Sequence, residues 1–222
     1  MAFTFLFRDL HTLELAVQHA VPSFLGRRRA RVWDAGCATG QEVYSLAILL
    51  AEKMTPFGLR NLRIEASDID ETGQFGGIVR EASYSNAEVE RIPCELRQKY
   101  FEPAGEERKR VTEAVRELVH FRQHDLLSLE PIGEGFSLIV CKNVLLHFSQ
   151  QQRVEVIRMF HRALEPGGYL VMEQTQKLPP EMEILFQQAV PDAQLFAKSS
   201  EIHTAQHACV KAEKKEEEPL QC

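Results

Sequence analysis

The chain predicts a doubly wound α/β fold around a mostly parallel sheet, with a small antiparallel β-hairpin inserted. Three observations carry that expectation. Strand-like and helix-like patterns alternate along most of the 222 residues, the signature of βα units feeding a parallel sheet. The segment Phe136–Cys141 is almost wholly apolar, as a strand covered on both faces has to be. A small-residue turn, Asp34-Ala35-Gly36-Cys37-Ala38-Thr39-Gly40, joins a strand to a helix and lets a ligand approach the backbone closely.

Taken in order, 10–24 reads as an amphipathic lead-in helix and 30–36 as the first strand. A helix follows over 41–53, with Tyr44, Ala47, Ile48 and Ala51 on one stripe. The second strand is 62–68. A helix starts at Glu71, weakened by Gly73, Gly76 and Gly77. Residues 91–116 break the rhythm, and a turn at Ala104-Gly105-Glu106 predicts the inserted hairpin between Tyr100 and Thr112. Strands are expected at 118–125, 136–141 and 169–173. A helix over 150–164 is closed by Pro166-Gly167-Gly168. Residues 180–189 read as a helix, and 195–198 and 207–210 as two short strands. One domain over 1–210 accounts for all of this, and the charged run 211–222 reads as a disordered tail.

Bulk properties narrow the function. The formal net charge is -6, so the surface as a whole is not built for nucleic acid. The basic run from Gly26 to Arg31 reads as a solvated loop. Five cysteines, an odd number with no CxxC pair, argue against a disulfide framework or a cysteine zinc site and fit a reducing, cytoplasmic setting. No apolar run reaches the ~18 residues that span a bilayer, and no leader pattern opens the chain. The pairs His120/His124 and His203/His207 fall in strand-like segments, where a four-residue spacing does not bring ligands together, so no metal is expected.

Chemistry gathers at the predicted strand ends, where ligands of open α/β sheets bind. The glycine turn lacks the Gly-Lys-Ser/Thr of a phosphate loop and the full GxGxxG spacing of a dinucleotide fingerprint. Asp68 ends the second strand, 32 residues after Gly36, and can accept from ribose hydroxyls or cap the next helix. Asp125 ends the third strand, placed to meet an adenine amino group. Asn143 follows the fourth. Polar residues at successive strand ends are harder to reach by chance than any one alone.

Together these segments resemble the CheR family, the chemotaxis-receptor methyltransferases that esterify glutamate side chains. Thr4-Phe5-Leu6-Phe7-Arg8 is similar to the family's T-x-F-F-R. Ala35 to Ser45 is similar to its AGCSTGEEPYS, and Asp68-Ile69-Asp70 matches its DID. Asp125-Leu126-Leu127 stands near its NLL, Cys141 to Phe148 is similar to CRNVLIYF, and Pro166 to Leu170 matches PGGYL. The resemblance runs from Phe3 to about Val210.

The resemblance implies a class I, Rossmann-like methyltransferase fold and S-adenosylmethionine as cofactor. It implies Thr4 and Arg8 near the methionine part, Glu42 at its amino group, and Asp68 at the ribose. It also implies Asp125 and Leu126 at the adenine, Gly36 in the close turn, and Asn143 and Val144 near the transferred methyl. The implied partner is a protein substrate such as a chemoreceptor cytoplasmic domain, engaged in part by the inserted hairpin. The departures are Gln41 for a family Glu, Val43 for Pro, Asp125 for Asn, Lys142 for Arg and His147 for Tyr. The family carries an all-helical domain before T-x-F-F-R, whereas three residues precede Thr4 here, which reads as a catalytic domain without it.

Methyl transfer from a sulfonium to a carboxylate needs no general base, because a glutamate of pKa about 4.3 is already anionic. Orientation then dominates. Arg8 is the candidate for organising carboxylates bidentately. His147 becomes a candidate base if the acceptor is instead a neutral amine or hydroxyl. Two further readings stay open: a methyltransferase for another acceptor, and a non-catalytic module that senses the cofactor. The sequence sets no oligomeric state.

Overall fold

A computed structural model describes residues 4–24 and 28–199. Helix α1 (Leu10–Phe24) leads into β1 (Ala30–Ala35), α2 (Gln41–Lys53), the short α3 (Pro56–Arg60) and β2 (Leu62–Asp68). Next come α4 (Phe75–Glu81), β3 (Ser83–Ser85), α5 (Asn86–Val89), α6 (Cys94–Tyr100), β4 (Phe101–Pro103) and β5 (Arg108–Val111). The chain continues through α7 (Glu113–Arg116), β6 (Val119–Gln123), β7 (Phe136–Cys141), α8 (Gln150–Ala163), β8 (Leu164–Met172), β9 (Phe186–Gln188) and β10 (Leu195–Lys198).

The main sheet has seven strands in the order β6-β2-β1-β7-β8-β10-β9. The first five are parallel, and β10 runs antiparallel to both β8 and β9. Strand order reverses at β1, where β2 pairs on one side and β7 on the other, so a crevice opens beyond the carboxyl end of β1.

Alternation along each strand divides the core between two faces. Val32, Ile64, Leu138 and Val140 pack with Leu13, Ala16, Leu46 and Leu50 of α1 and α2. Trp33, Ile139, Cys141 and Leu170 face the other way, onto Ile157 and Phe160 of α8. Trp33 is fully buried, and its indole Nε1 donates to Ser67 Oγ at 2.8 Å, satisfying the polar edge of a large ring. A second sheet, ordered β3-β5-β4, is antiparallel.

The structure has the expected class of fold and corrects several elements. The small sheet takes in Ser83–Ser85, which lies before the expected insert. The helix expected from Glu71 starts only at Phe75, because Gly73 takes φ +69° and Asp70 gathers the first helical N–H groups. Gly76 is needed there, since a Cβ would stand 2.8 Å from the Phe121 ring. Residues 180–189 are not a helix. A single 3-10 turn, Pro180–Met182, precedes β9, which pairs with β10. Helix α8 ends on an extended Leu164 rather than a glycine, and Pro166-Gly167-Gly168 forms an irregularity within β8. The expected strand at 207–210 and the tail 211–222 lie outside the described residues, as do Gly26 and Arg27 of the basic run. Among the described residues no helix is long and apolar enough to cross a membrane.

Candidate functional site

Two adjoining cavities open at the crevice beyond β1. The larger, about 490 Å³, is lined by Thr4, Arg8, Glu42, Phe75, Lys142 and Asn143 among others. The second, about 240 Å³, is lined by Ile69, Asp125, Leu126, Leu127 and Phe148 among others. Gly36, Asp68, Val144 and His147 border both. Every site residue expected from the sequence therefore lines one cavity or the other, although they come from positions 4 to 147.

The floor is the glycine turn. Gly36 has φ +99°, a conformation L residues avoid, and its N–H donates to Ser67 O at 2.7 Å. A Cβ there would meet Val144 Cγ2 at 2.1 Å, so the turn and the segment after β7 touch across the throat between the cavities.

Asp68 stands at the junction. Its Oδ2 accepts from the Ala38 N–H at 2.9 Å and its Oδ1 from the Asp70 N–H at 3.1 Å. The capping role left open for Asp68 falls to Asp70, whose carboxylate accepts from the N–H groups of Gln74, Phe75 and Gly76. Burial pushes the Asp70 acid up, but those bonds outweigh it and hold it below the usual carboxylate range.

The charged end is built from four separate segments of the chain. Lys142 is almost fully buried, and its Nζ lies 3.0 Å from Glu42 Oε2 and 3.0 Å from Asp9 Oδ2. Burial opposes its charge, but Glu42 and Asp9 outweigh burial and raise its pKa. Behind Glu42 sits Asp34, with no exposed surface. Burial first, and the neighbouring Glu42 second, push its acid well above the usual range. The N-terminal segment is held over this end by the Phe7 N–H, which donates to Ser45 Oγ at 2.7 Å, and by buried Leu6. That anchor sets Thr4 and Arg8 on the cavity wall, with Arg8 Nε 3.9 Å from Asp9 Oδ2.

On the far wall Asn143 takes φ +60°, a left-handed conformation that asparagine tolerates, and its side-chain amide donates to Glu173 Oε2 at 3.1 Å. Asp125 uses one oxygen to accept from the Leu127 N–H at 2.8 Å. Of the four exposed large hydrophobic residues among those described, Ile69, Leu127 and Leu146 line these cavities.

Sequence reasoning missed Lys142 and Asp34 as parts of the site. Lys142 was visible only as a departure from a family arginine. Its signal was a lysine directly after an apolar strand. Asp34 carried a similar one, an acid inside a buried strand. Gln41 was also missed: its amide donates to Glu88 Oε1 at 3.3 Å, which ties the glycine turn to the capping box of α5 beside the small sheet.

Comparison with known proteins agrees with this architecture. The chain is 31% identical over 181 residues to a chemotaxis protein methyltransferase, Cher2, of Pseudomonas putida, covering 79% of this chain and 66% of that one. It is 32% identical over 181 residues to chemotaxis protein methyltransferase 1 of Pseudomonas aeruginosa, with the same coverages. The chain thus spans just under two thirds of the length of these curated relatives. Among solved structures, the rRNA methyltransferase aviRa of Streptomyces viridochromogenes superposes with a TM-score of 0.52. At 14% identity, covering 94% of this chain and 88% of that one, it shares the fold alone. The family model of the CheR methyltransferase SAM-binding domain matches residues 2–194, and the chain belongs to that family.

Proposed function

We propose that this chain transfers a methyl group from S-adenosylmethionine to a glutamate carboxylate of a protein, such as the cytoplasmic domain of a chemoreceptor. The observation that carries the reading is the graded lining of the paired cavity. Charged groups (Arg8, Glu42, Lys142) lie at one end, the acceptor Asp68 in the middle, and Ile69, Leu126 and Leu127 at the other. That order suits a molecule with an amino-acid end, a ribose and a purine, and the combined size falls in the range of ligand sites, roughly 300–1,000 Å³.

In this reading Glu42 accepts from the amino group, with Thr4 and Arg8 near the methionine carboxylate. Asp68 accepts from the ribose hydroxyls, while Asp125 and Leu126 meet the adenine. Gly36 keeps the floor open. Asn143 and Val144 border the place where the acceptor oxygen must arrive. The bound cofactor supplies a methyl group on a sulfonium, which leaves as a neutral thioether. The protein's own contribution is orientation and exclusion of water, because the acceptor carboxylate needs no deprotonation. Arg8 also organises the incoming carboxylate, for which a guanidinium fork is suited.

His147 borders both cavities, and this position favours a second reading in which it serves as base toward a neutral acceptor. Retention of methyl transfer in His147→Ala removes that reading. Cytoplasmic location belongs to the proposal, supported by free Cys37, Cys94 and Cys141. So does the division into a cofactor-binding domain over 1–210, with its insert extended back from the expected 91–116 to Ser83, and a charged tail over 211–222, assigned by composition. The test is a calorimetric titration of S-adenosylhomocysteine into the whole chain, with Asp68→Ala beside it. Micromolar binding lost in the variant supports the site, and absence of binding in the parent removes it.

A further inference from the structure

Asp34 lies near the end of β1, beneath the charged end of the cavity, with no exposed surface. Neither of its carboxylate oxygens meets an N–H or O–H donor among the described residues. The side chain against it is the carboxylate of Glu42, itself a cavity-lining group. Two carboxylates facing each other, Asp34 wholly buried and Glu42 open only to the cavity, cannot both be charged without heavy cost. One proton between them resolves this: Asp34, protonated, donates to Glu42, and neither is left unsatisfied.

The charges of the cluster then balance. Neutral Asp34, anionic Glu42 and cationic Lys142 sum to zero in a buried setting, and Asp9 and Arg8 form a second neutral pair toward the surface. An ammonium group arriving at Glu42 would leave the buried cluster with a net positive charge. Loss of the Asp34 proton restores neutrality.

We infer that Asp34 is a positioning residue that exchanges its proton for the ammonium group of the bound amino-acid moiety, so that cofactor binding releases a proton. The inference rests on the reading of the cavity given above. Other groups facing Asp34 do not supply this proton. Burial holds Cys37, from the glycine turn, and Cys141, from β7, as neutral thiols. Lys142 keeps its charge through Glu42 and Asp9. Asp68, from the end of β2, is occupied by two backbone N–H groups.

The experiment is isothermal calorimetry on the whole chain between about pH 5.5 and 7, below the titration of the ligand's own amine. S-adenosylhomocysteine is titrated in buffers of different ionisation enthalpy, and 5′-methylthioadenosine, which lacks the amino-acid end, serves as comparison. The expected result is release of about one proton with S-adenosylhomocysteine and none with methylthioadenosine, with affinity rising up to tenfold per pH unit. Asp34→Asn keeps a donor toward Glu42 but no removable proton. It should bind at least tenfold more weakly, without dependence on buffer or pH. Intact binding with no proton release, or equal release with both ligands, overturns the role of Asp34 and leaves the cavity reading standing. Absence of S-adenosylhomocysteine binding in every buffer removes both. Should Asp34→Asn fail to fold, the two-ligand comparison on the parent chain decides.

Discussion

A Cβ on Gly36 would stand 2.1 Å from Cγ2 of Val144, so the first strand's turn and the segment after β7 close on each other at the throat of the site. Alanine at Gly36 would be strained twice, by φ +99° and by that contact. Gly36→Ala should cost about 1–3 kcal/mol of stability from the backbone alone. It should also weaken S-adenosylhomocysteine binding. Gly36→Ala/Val144→Ala should regain part of the affinity but not the backbone term, which thermal melts and titrations on both variants would separate.

Lys142 predicts a large asymmetry. Lys142→Met leaves Glu42 and Asp9 without their shared cation and should destabilise by about 3–5 kcal/mol in denaturant unfolding. Lys142→Arg keeps the charge and should lose far less. Because the folded pKa of Lys142 is raised, its contribution is fully present below the unfolded value of about 10.4 and fades as pH climbs through the folded one.

Asp34 predicts a slope of the opposite origin. Its folded acid is raised, so the folded state holds a proton that the unfolded chain releases near pH 3.9. Stability should therefore fall as pH rises from about 4 toward the folded value. Asp34→Asn should flatten that part of the profile of unfolding free energy against pH. An unchanged slope would mean that the acid is ionised in the folded chain.

Gln41 explains one departure from the family pattern. The family glutamate at this position would face Glu88, whose Oε1 here accepts from the Gln41 amide at 3.3 Å. Gln41→Glu should destabilise by about 1–2 kcal/mol through the lost bond and like-charge contact, and Glu88→Gln in the same chain should restore most of it.

Local pattern sufficed for the parallel strands. Phe136–Cys141 had one reading because it is covered on both faces, and Asp68 and Asp125 were legible because strand ends are where such sheets bind. The strand Phe186–Gln188 was not legible, because only its antiparallel partner Leu195–Lys198 decides between helix and strand in so short a segment. The same holds for the charged end of the site. Asp9, Asp34, Glu42 and Lys142 lie on four separate segments and meet only once the sheet is assembled. No spacing along the chain records that meeting, whereas the glycine turn, being local, was plain.

The most direct test of the central claim is incubation of the whole chain with methyl-labelled S-adenosylmethionine and a chemoreceptor cytoplasmic domain, followed by mild alkali. The account predicts label on the receptor domain that is released as methanol, and loss of that label in Asp68→Ala. Label that survives alkali, or no label while S-adenosylhomocysteine still binds, would contradict transfer to a carboxylate.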